Sequence, residues 1–385
     1  MGAFLLAGLA GWYATRAVRG RRAGSAAQAP PLQPSLEGGA WRLSAGIFHA
    51  KRVTPELLDG MATKSPEARF LELDHPQADD VATLRLARGV PHVSVREAIG
   101  PVDLSPIADL PDLRILEIVG TQVASLEPIA RSGVSSLSLD RVQGADDLAP
   151  LARAANLTQL SVRGPSASTV EALAGAASLQ TLSFGGSSLS SLAGMGSLPH
   201  LEELIVADSP ATDLGGLADL TALRSLTLRG MKLTTAPRLP RGLRSLELTD
   251  FRTSDAAFVA AAPHLESLRL PGADLVDVRP IGALKDLERL DLTRNHKLKD
   301  IAPLASLVHL KELTLSDTDV ESLAPLAKLP LVSIELHGTR ATSLAPLASI
   351  PTLRNVTRLP QGYPEAETDA LEKANPSVKI ERVSR

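Results

Sequence analysis

The chain of 385 residues carries 40 basic and 43 acidic side chains, for a net charge of −3, and only 3% of its residues are aromatic. That balance excludes a bulk electrostatic hold on nucleic acid or an anionic membrane surface, and so few aromatics exclude a stacking platform for single strands. With no cysteine, neither a disulfide nor a thiolate-ligated metal supports the fold, and neither redox compartment is favoured.

Residues 2–14, GAFLLAGLAGWYA, are apolar and are followed by Arg16, Arg19, Arg21 and Arg22. If Arg16 is passed over, the run reaches Val18, at the short end of the roughly 17–25 residues that a membrane-spanning helix needs. A secretory signal carries its basic residues before the apolar run, and charges on the C-terminal side favour a cytoplasmic location for the rest of the chain. Segment 1–22 therefore reads as a short membrane tether through residues 2–18. An atypical export signal and a misassigned start or apolar tail are the other readings, under which the remainder is exported or cytoplasmic. Myristoylation does not fit, because position six is Leu6. Residues 23–40, AGSAAQAPPLQPSLEGGA, lack an apolar period and read as a Pro-stiffened linker.

Residues 41–96 read as an N-terminal cap with degenerate repeats. Thr54-Pro55-Glu56 has the N-cap, N1 and N2 chemistry of a helix carrying Leu57, Leu58 and Met61. Alternating apolar residues then predict strands at Leu71 and Leu73 and at Val93 and Val95, with a helix near residues 79–87 between them. Trp41, Ile47 and Phe48 are expected to pack in this cap.

From 97 to 358 one pattern dominates. The core L-x-x-L-x-L, marked by its first apolar residue, recurs twelve times from Leu113 to Leu353 at spacings of 20 to 23 residues. In Leu310-Lys311-Glu312-Leu313-Thr314-Leu315 the last two leucines point to one side of a strand, while Glu312 and Thr314 point to the other. A single turn of this kind cannot bury its own leucines, but stacked turns bury them against one another. The period and core are the leucine-rich-repeat signature. The return segment L-x-P-L, as in Leu126/Pro128/Ile129, Ile301/Pro303/Leu304 and Leu323/Pro325/Leu326, resembles the 22-residue repeats of the bacterial internalins.

The resemblance implies an α/β solenoid: a horseshoe or arc with parallel strands on the concave face and short 3₁₀ or extended segments on the convex face. Proline's fixed φ and missing N–H suit such a convex side. The family's turn asparagine is largely replaced here, by Thr121, Val142, Pro165, Ser187, Ser209, Met231, Phe251, Ala273, Thr318 and Thr339. Only Asn295 keeps it. Ser and Thr can make a weaker version of the same hydrogen bond.

Residues 359–385 read as a C-terminal cap. It has a turn at Pro360-Gln361-Gly362, a helix over Glu365 to Lys373, and a final strand with Val378, Ile380 and Val383. Lys379, Glu381, Arg382 and Arg385 keep that edge polar. Arginine outnumbers lysine 30 to 10, as in bacteria with GC-rich genomes.

No P-loop, dinucleotide fingerprint, H-E-x-x-H or G-x-S-x-G occurs. His200, His264 and His309 share one repeat position, but at about 4.8 Å per strand the nearest two stand about 10 Å apart, too far to share a metal. The Asp79/Asp80 and Asp146/Asp147 pairs read as helix caps or solvated loops. No cofactor or metal is implied. Function is expected on the outward strand positions, which include Asp140, Arg163, Arg229, Glu247, Arg269, Asp291, Glu335 and His337 among Ser and Thr residues such as Ser138, Ser161, Ser183 and Thr227. Such a mixed-charge strip points to a non-enzymatic scaffold that docks a protein, with Arg229 and Arg269 the strongest contacts. A carbohydrate- or envelope-binding module is the alternative, though it would want exposed aromatics.

Overall fold

The computed structural model describes residues 41–44, 47–64, 70–164, 170–359 and 363–382. The tether, the linker, Pro165, the turn at 360–362, Val383 and Arg385 lie outside the described residues. Among those described, no helix is long and apolar enough to cross a membrane.

Alternation decides the architecture. In Ser225–Arg229 the leucines Leu226 and Leu228 are fully buried, whereas Ser225, Thr227 and Arg229 keep solvent contact. The same period-2 pattern recurs from Phe70–Asp74 to Ser333–Glu335, and in Asn355–Leu359 a register shift after Val356 interrupts it. One strand with two inward leucines has no core of its own, so each pairs with the strand one repeat on. Sixteen strands, from Ile47–Ala50 to Lys379–Arg382, run parallel in chain order within one open sheet. The register places leucine on leucine: Leu226 lies between Leu204 and Leu246, and Leu268 between Leu246 and Leu290. The hairpin strand Arg42–Ser44 pairs antiparallel to Ile47–Ala50 at the N-terminal end. There Trp41 packs on Phe48 with ring centroids 5.6 Å apart.

The return segments are single turns. Some are 3₁₀, such as Ala149–Arg153 and Ala302–Ser306, and others are four-residue α-turns, such as Glu127–Ala130 and Ala345–Ala348. Longer helices occur at the two ends. Pro55–Lys64 starts where the Leu57 amide donates to Thr54 Oγ1 at 3.3 Å, and Glu365–Ala374 precedes the last strand.

Two polar ladders hold the turns. The first lies just before each return segment, where an Asp or Ser side chain accepts the amide two residues on. Asp103, Ser125, Asp147, Asp213, Asp277 and Asp300 do so at 2.8–3.0 Å. In all of these Asx and Ser/Thr turns but that of Asp213, the turn leads to the proline of the return segment. The second ladder is the turn-asparagine position. Asn295 is fully buried, donates to the Leu270 and Leu292 carbonyls and accepts from the Leu275 amide. Thr121, Ser209, Thr318 and Thr339 make the reduced version by donating to a nearby carbonyl. Ser187, buried at the same position, has no partner for its hydroxyl among the described residues.

The residue that leaves each strand adopts left-handed backbone. Glycine takes this place at Gly120, Gly230 and Gly338, with φ of 57–65°. Glu97, Arg141 and Arg294 adopt it at 49–62°, a conformation that disfavours a Cβ.

Candidate functional site: the solvent face of the sheet

Parallel register turns equivalent positions into rows that cross the strands. The centre row reads His49, Glu72, Ser94, Glu117, Ser138, Ser161, Ser183, Ile205, Thr227, Glu247, Arg269, Asp291, Thr314, Glu335 and Thr357. One step toward the strand exits lies a second row with Asp74, Arg96, Val119, Asp140, Arg163, Gly185, Ala207 and Arg229. Glu247, Arg269, Asp291 and Glu335 therefore share the centre row, and Asp140, Arg163 and Arg229 the exit row. His337 lies two residues past Glu335, beyond the strand Ser333–Glu335.

These residues are not one cluster. Arg229, Glu247, Arg269 and Asp291 form a contiguous ladder of alternating charge across four strands. Arg229 donates to both Glu247 oxygens at 2.6 and 2.9 Å. Arg269 then bridges Glu247 and Asp291 at 3.3 Å each. Hydrogen bonding to Glu247 raises the Arg229 pKa further, so the guanidinium stays charged. Glu335 belongs to a neighbouring group, held by Ser316 Oγ at 2.7 Å and Arg358 at 3.3 Å. Between the two opens a groove of about 670 Å³ whose lining includes Arg269, Arg289, Asp291, Glu312, Glu335 and Arg358. Asp140 pairs with its chain neighbour Arg141 at 3.4 Å.

Ahead of the ladder the face is low and uncharged at its centre: Ser138, Ser161, Ser183, Ile205 and Thr227, flanked by Gly185 and Ala207. Arg163 lies over Gly185, where an added Cβ would stand 3.3 Å from its Cγ. Glu203, one step to the other side of Ile205, has its pKa raised by burial. The three histidines at one repeat position, His200, His264 and His309, are all exposed at the loop before their strands, and His264 pairs with Asp286 at 3.0 Å. Asp80 and Asp147 accept backbone amides in turns.

Sequence reasoning left the N-terminal end of the face unread. His49, Glu72, His92, Arg96 and Glu117 form a charged group there: His49 Nδ1 is 2.8 Å from Glu72, Arg96 Nε 3.6 Å from Glu72, and His92 Nε2 3.3 Å from Glu117. His92 also stacks on Phe70 at 3.7 Å between ring centroids. The signal was available, since extending the alternation back from Leu116 places Glu117, Ser94 and Glu72 on one face.

No protein-family model and no curated protein matches the sequence. Solved structures do. A leucine-rich-repeat protein of Leptospira interrogans aligns over 80% of this chain and 88% of its own at 19% identity, with a TM-score of 0.66. An internalin from Listeria monocytogenes aligns over 75% and 79% at 22% identity, with a TM-score of 0.51. A plant peptide hormone receptor, solved in complex with RGF2, aligns over 74% of this chain and 54% of its own at 15% identity, with a TM-score of 0.50. At these identities the likeness is one of fold: the described chain is a leucine-rich-repeat solenoid, built like the internalin and the Leptospira protein.

Proposed function

We propose that the chain is a non-enzymatic scaffold that docks a protein partner across the solvent face of its sheet. The observation that carries this reading is the face itself, a single parallel sheet whose centre row, uncharged from Ser138 to Thr227, runs into a charged ladder and groove from Arg229 to Arg358. Such a surface offers shape and charge to a macromolecule rather than a closed site to a small substrate. The carboxylates Glu247, Asp291 and Glu335 spend their hydrogen bonds on neighbouring side chains, which leaves them poorly placed as acids or bases and supports a structural role. Arg229 and Arg269 are half-exposed yet held in place, a preorganised pair of the kind that dominates interfaces.

A photo-crosslinking side chain installed at Thr227, with a second variant at the convex Ala302, tests the reading in cells. Adducts from Thr227 but not Ala302, reduced by Arg229→Glu with Arg269→Glu, are the expected result. Adducts from Ala302 alone would move docking to the convex side. The apolar run at residues 2–14, followed by Arg16, Arg19, Arg21 and Arg22, supports a membrane tether with the repeats in the cytoplasm. Membrane fractionation with protease added to spheroplasts checks this, and digestion of the repeats from outside would reverse it.

A further inference from the structure

The two ends of the sheet are finished differently. At the N-terminal end the antiparallel strand Arg42–Ser44 covers the edge of Ile47–Ala50. At the other end Lys379–Arg382 pairs with Asn355–Leu359 on one side, and no described strand pairs with it on the other. The Lys379 amide donates to the Arg354 carbonyl at 2.7 Å. Successive residues of a strand turn their backbone groups to opposite sides, so Ile380 presents its N–H and C=O to the outer edge. The core thins there as well. Ile380 lies in register with the fully buried Val356 but is itself only half-buried.

The side chains around Ile380 decide what this edge can accept. Lys379, in register with Asn355, and Glu381, two residues on, stand exposed on the solvent face. Neither has an ion-pair partner among the described residues. Arg382 is engaged elsewhere, donating to Thr368 Oγ1 at 3.1 Å. Charges on an edge strand turn most partners away. Here their signs are opposite, and they sit symmetrically about the residue whose backbone groups face outward. Laid antiparallel on itself with Ile380 opposite Ile380, the strand brings each Lys379 opposite a Glu381. The two Ile380 residues then exchange both backbone hydrogen bonds, and the Lys379–Glu381 pairs take the closer, non-hydrogen-bonded positions. One register thus satisfies the open backbone groups, the half-buried isoleucine and both charges. An in-register parallel copy would instead set like charges side by side.

We propose that the outer edge of Lys379–Arg382 pairs with the same edge of a second copy of this chain, about a two-fold axis through the Ile380 pair. The sheet then runs on from one copy into the other, with both solvent faces on the same side. This goes beyond the docking reading of that face and does not depend on it.

The test exploits the absence of cysteine from the sequence. Lys379→Cys and Glu381→Cys variants of the full chain are treated with a mild oxidant, each alone and in equal mixture. In the two-fold register the unlike positions stand about 4.5 Å apart between Cα atoms and the like positions roughly 7–8 Å, and only the former lie within easy disulfide reach. The mixture should therefore cross-link at least about tenfold faster than either variant alone. Charge reversal gives a second readout. Lys379→Glu and Glu381→Lys should each weaken self-association in sedimentation equilibrium, and the chain carrying both should recover it. Equal cross-linking rates alone and mixed, or a double variant as weak as the single ones, overturn the proposal. So does a native chain that stays monomeric at every concentration, or one that grows into open polymers, the mark of Lys379–Arg382 meeting Arg42–Ser44 of the next copy.

Discussion

Between Arg229 and Asp291 each charge on the sheet face meets an opposite charge on the next strand. Between Glu72 and Glu117, on the same face of the same sheet, carboxylates outnumber guanidinium groups and a serine hydroxyl has no partner among the described residues. The backbone and register are equivalent in the two regions, so the difference lies entirely in the side chains at the outward positions. In the alternating row each charge is already paired. The N-terminal group is not fully satisfied, since its serine hydroxyl is buried without a partner among the described residues.

The hidden side of the same repeats gives the largest contrast. Asn295 sits beneath the C-terminal ladder and closes three backbone hydrogen bonds, while Thr121 at the corresponding N-terminal position uses a single hydroxyl. Asn295→Ala leaves buried groups of Leu270, Leu275 and Leu292 unsatisfied and should cost about 3 kcal/mol in urea unfolding. Thr121→Ala should cost about 1 kcal/mol. Similar losses at the two sites would show that the turn position matters equally in both regions.

Charge removal should separate the regions next. Glu247→Gln takes the shared counter-ion from Arg229 and Arg269, and a loss of about 1 kcal/mol, smaller in high salt, is expected. Glu117→Gln removes a buried carboxylate with no lysine or arginine partner among the described residues and should leave stability unchanged or raise it by about 0.5 kcal/mol. A large loss at Glu117 would mean that its contact with His92 stabilises the fold.

The smallest effect concerns the left-handed turn residue. Gly120 near the N-terminal end and Arg294 near the C-terminal end occupy equivalent positions, with φ of 57° and 62°. Arg294→Gly should raise the melting temperature slightly, by a gain of about 0.5 kcal/mol. Gly120→Ala should lower it, because its Cβ would also stand 2.3 Å from Glu97 Oε2. Two changes of the same sign would break the equivalence of the two turns.

The solenoid is legible in the sequence because its determinants are local and repeated. Two leucines at period 2 mark a strand, a proline marks the return, and a 20- to 23-residue spacing forces each strand onto the next. The outward positions follow from the same alternation, which by itself places Asp140, Arg163, Arg229, Glu247, Arg269, Asp291 and Glu335 on one face. Arg229 and Arg269, expected from residue type to be the strongest contacts, are tied to Glu247 and Asp291, and that tie is not visible in the alternation. The first ladder of turn-holding residues stands one position before each L-x-P-L, but it is written in Asp and Ser rather than in the family's asparagine.

The sequence by itself determined the repeat, the direction of the strands and which side chains face solvent, since periodicity along the chain dictates all three. Only the tertiary structure decided which outward charges satisfy one another. Those partners lie a full repeat apart in sequence, and whether Arg96 reaches back to Glu72 or forward to Glu117 depends on register and rotamer. That reach leaves Glu117 with an imidazole instead of a guanidinium.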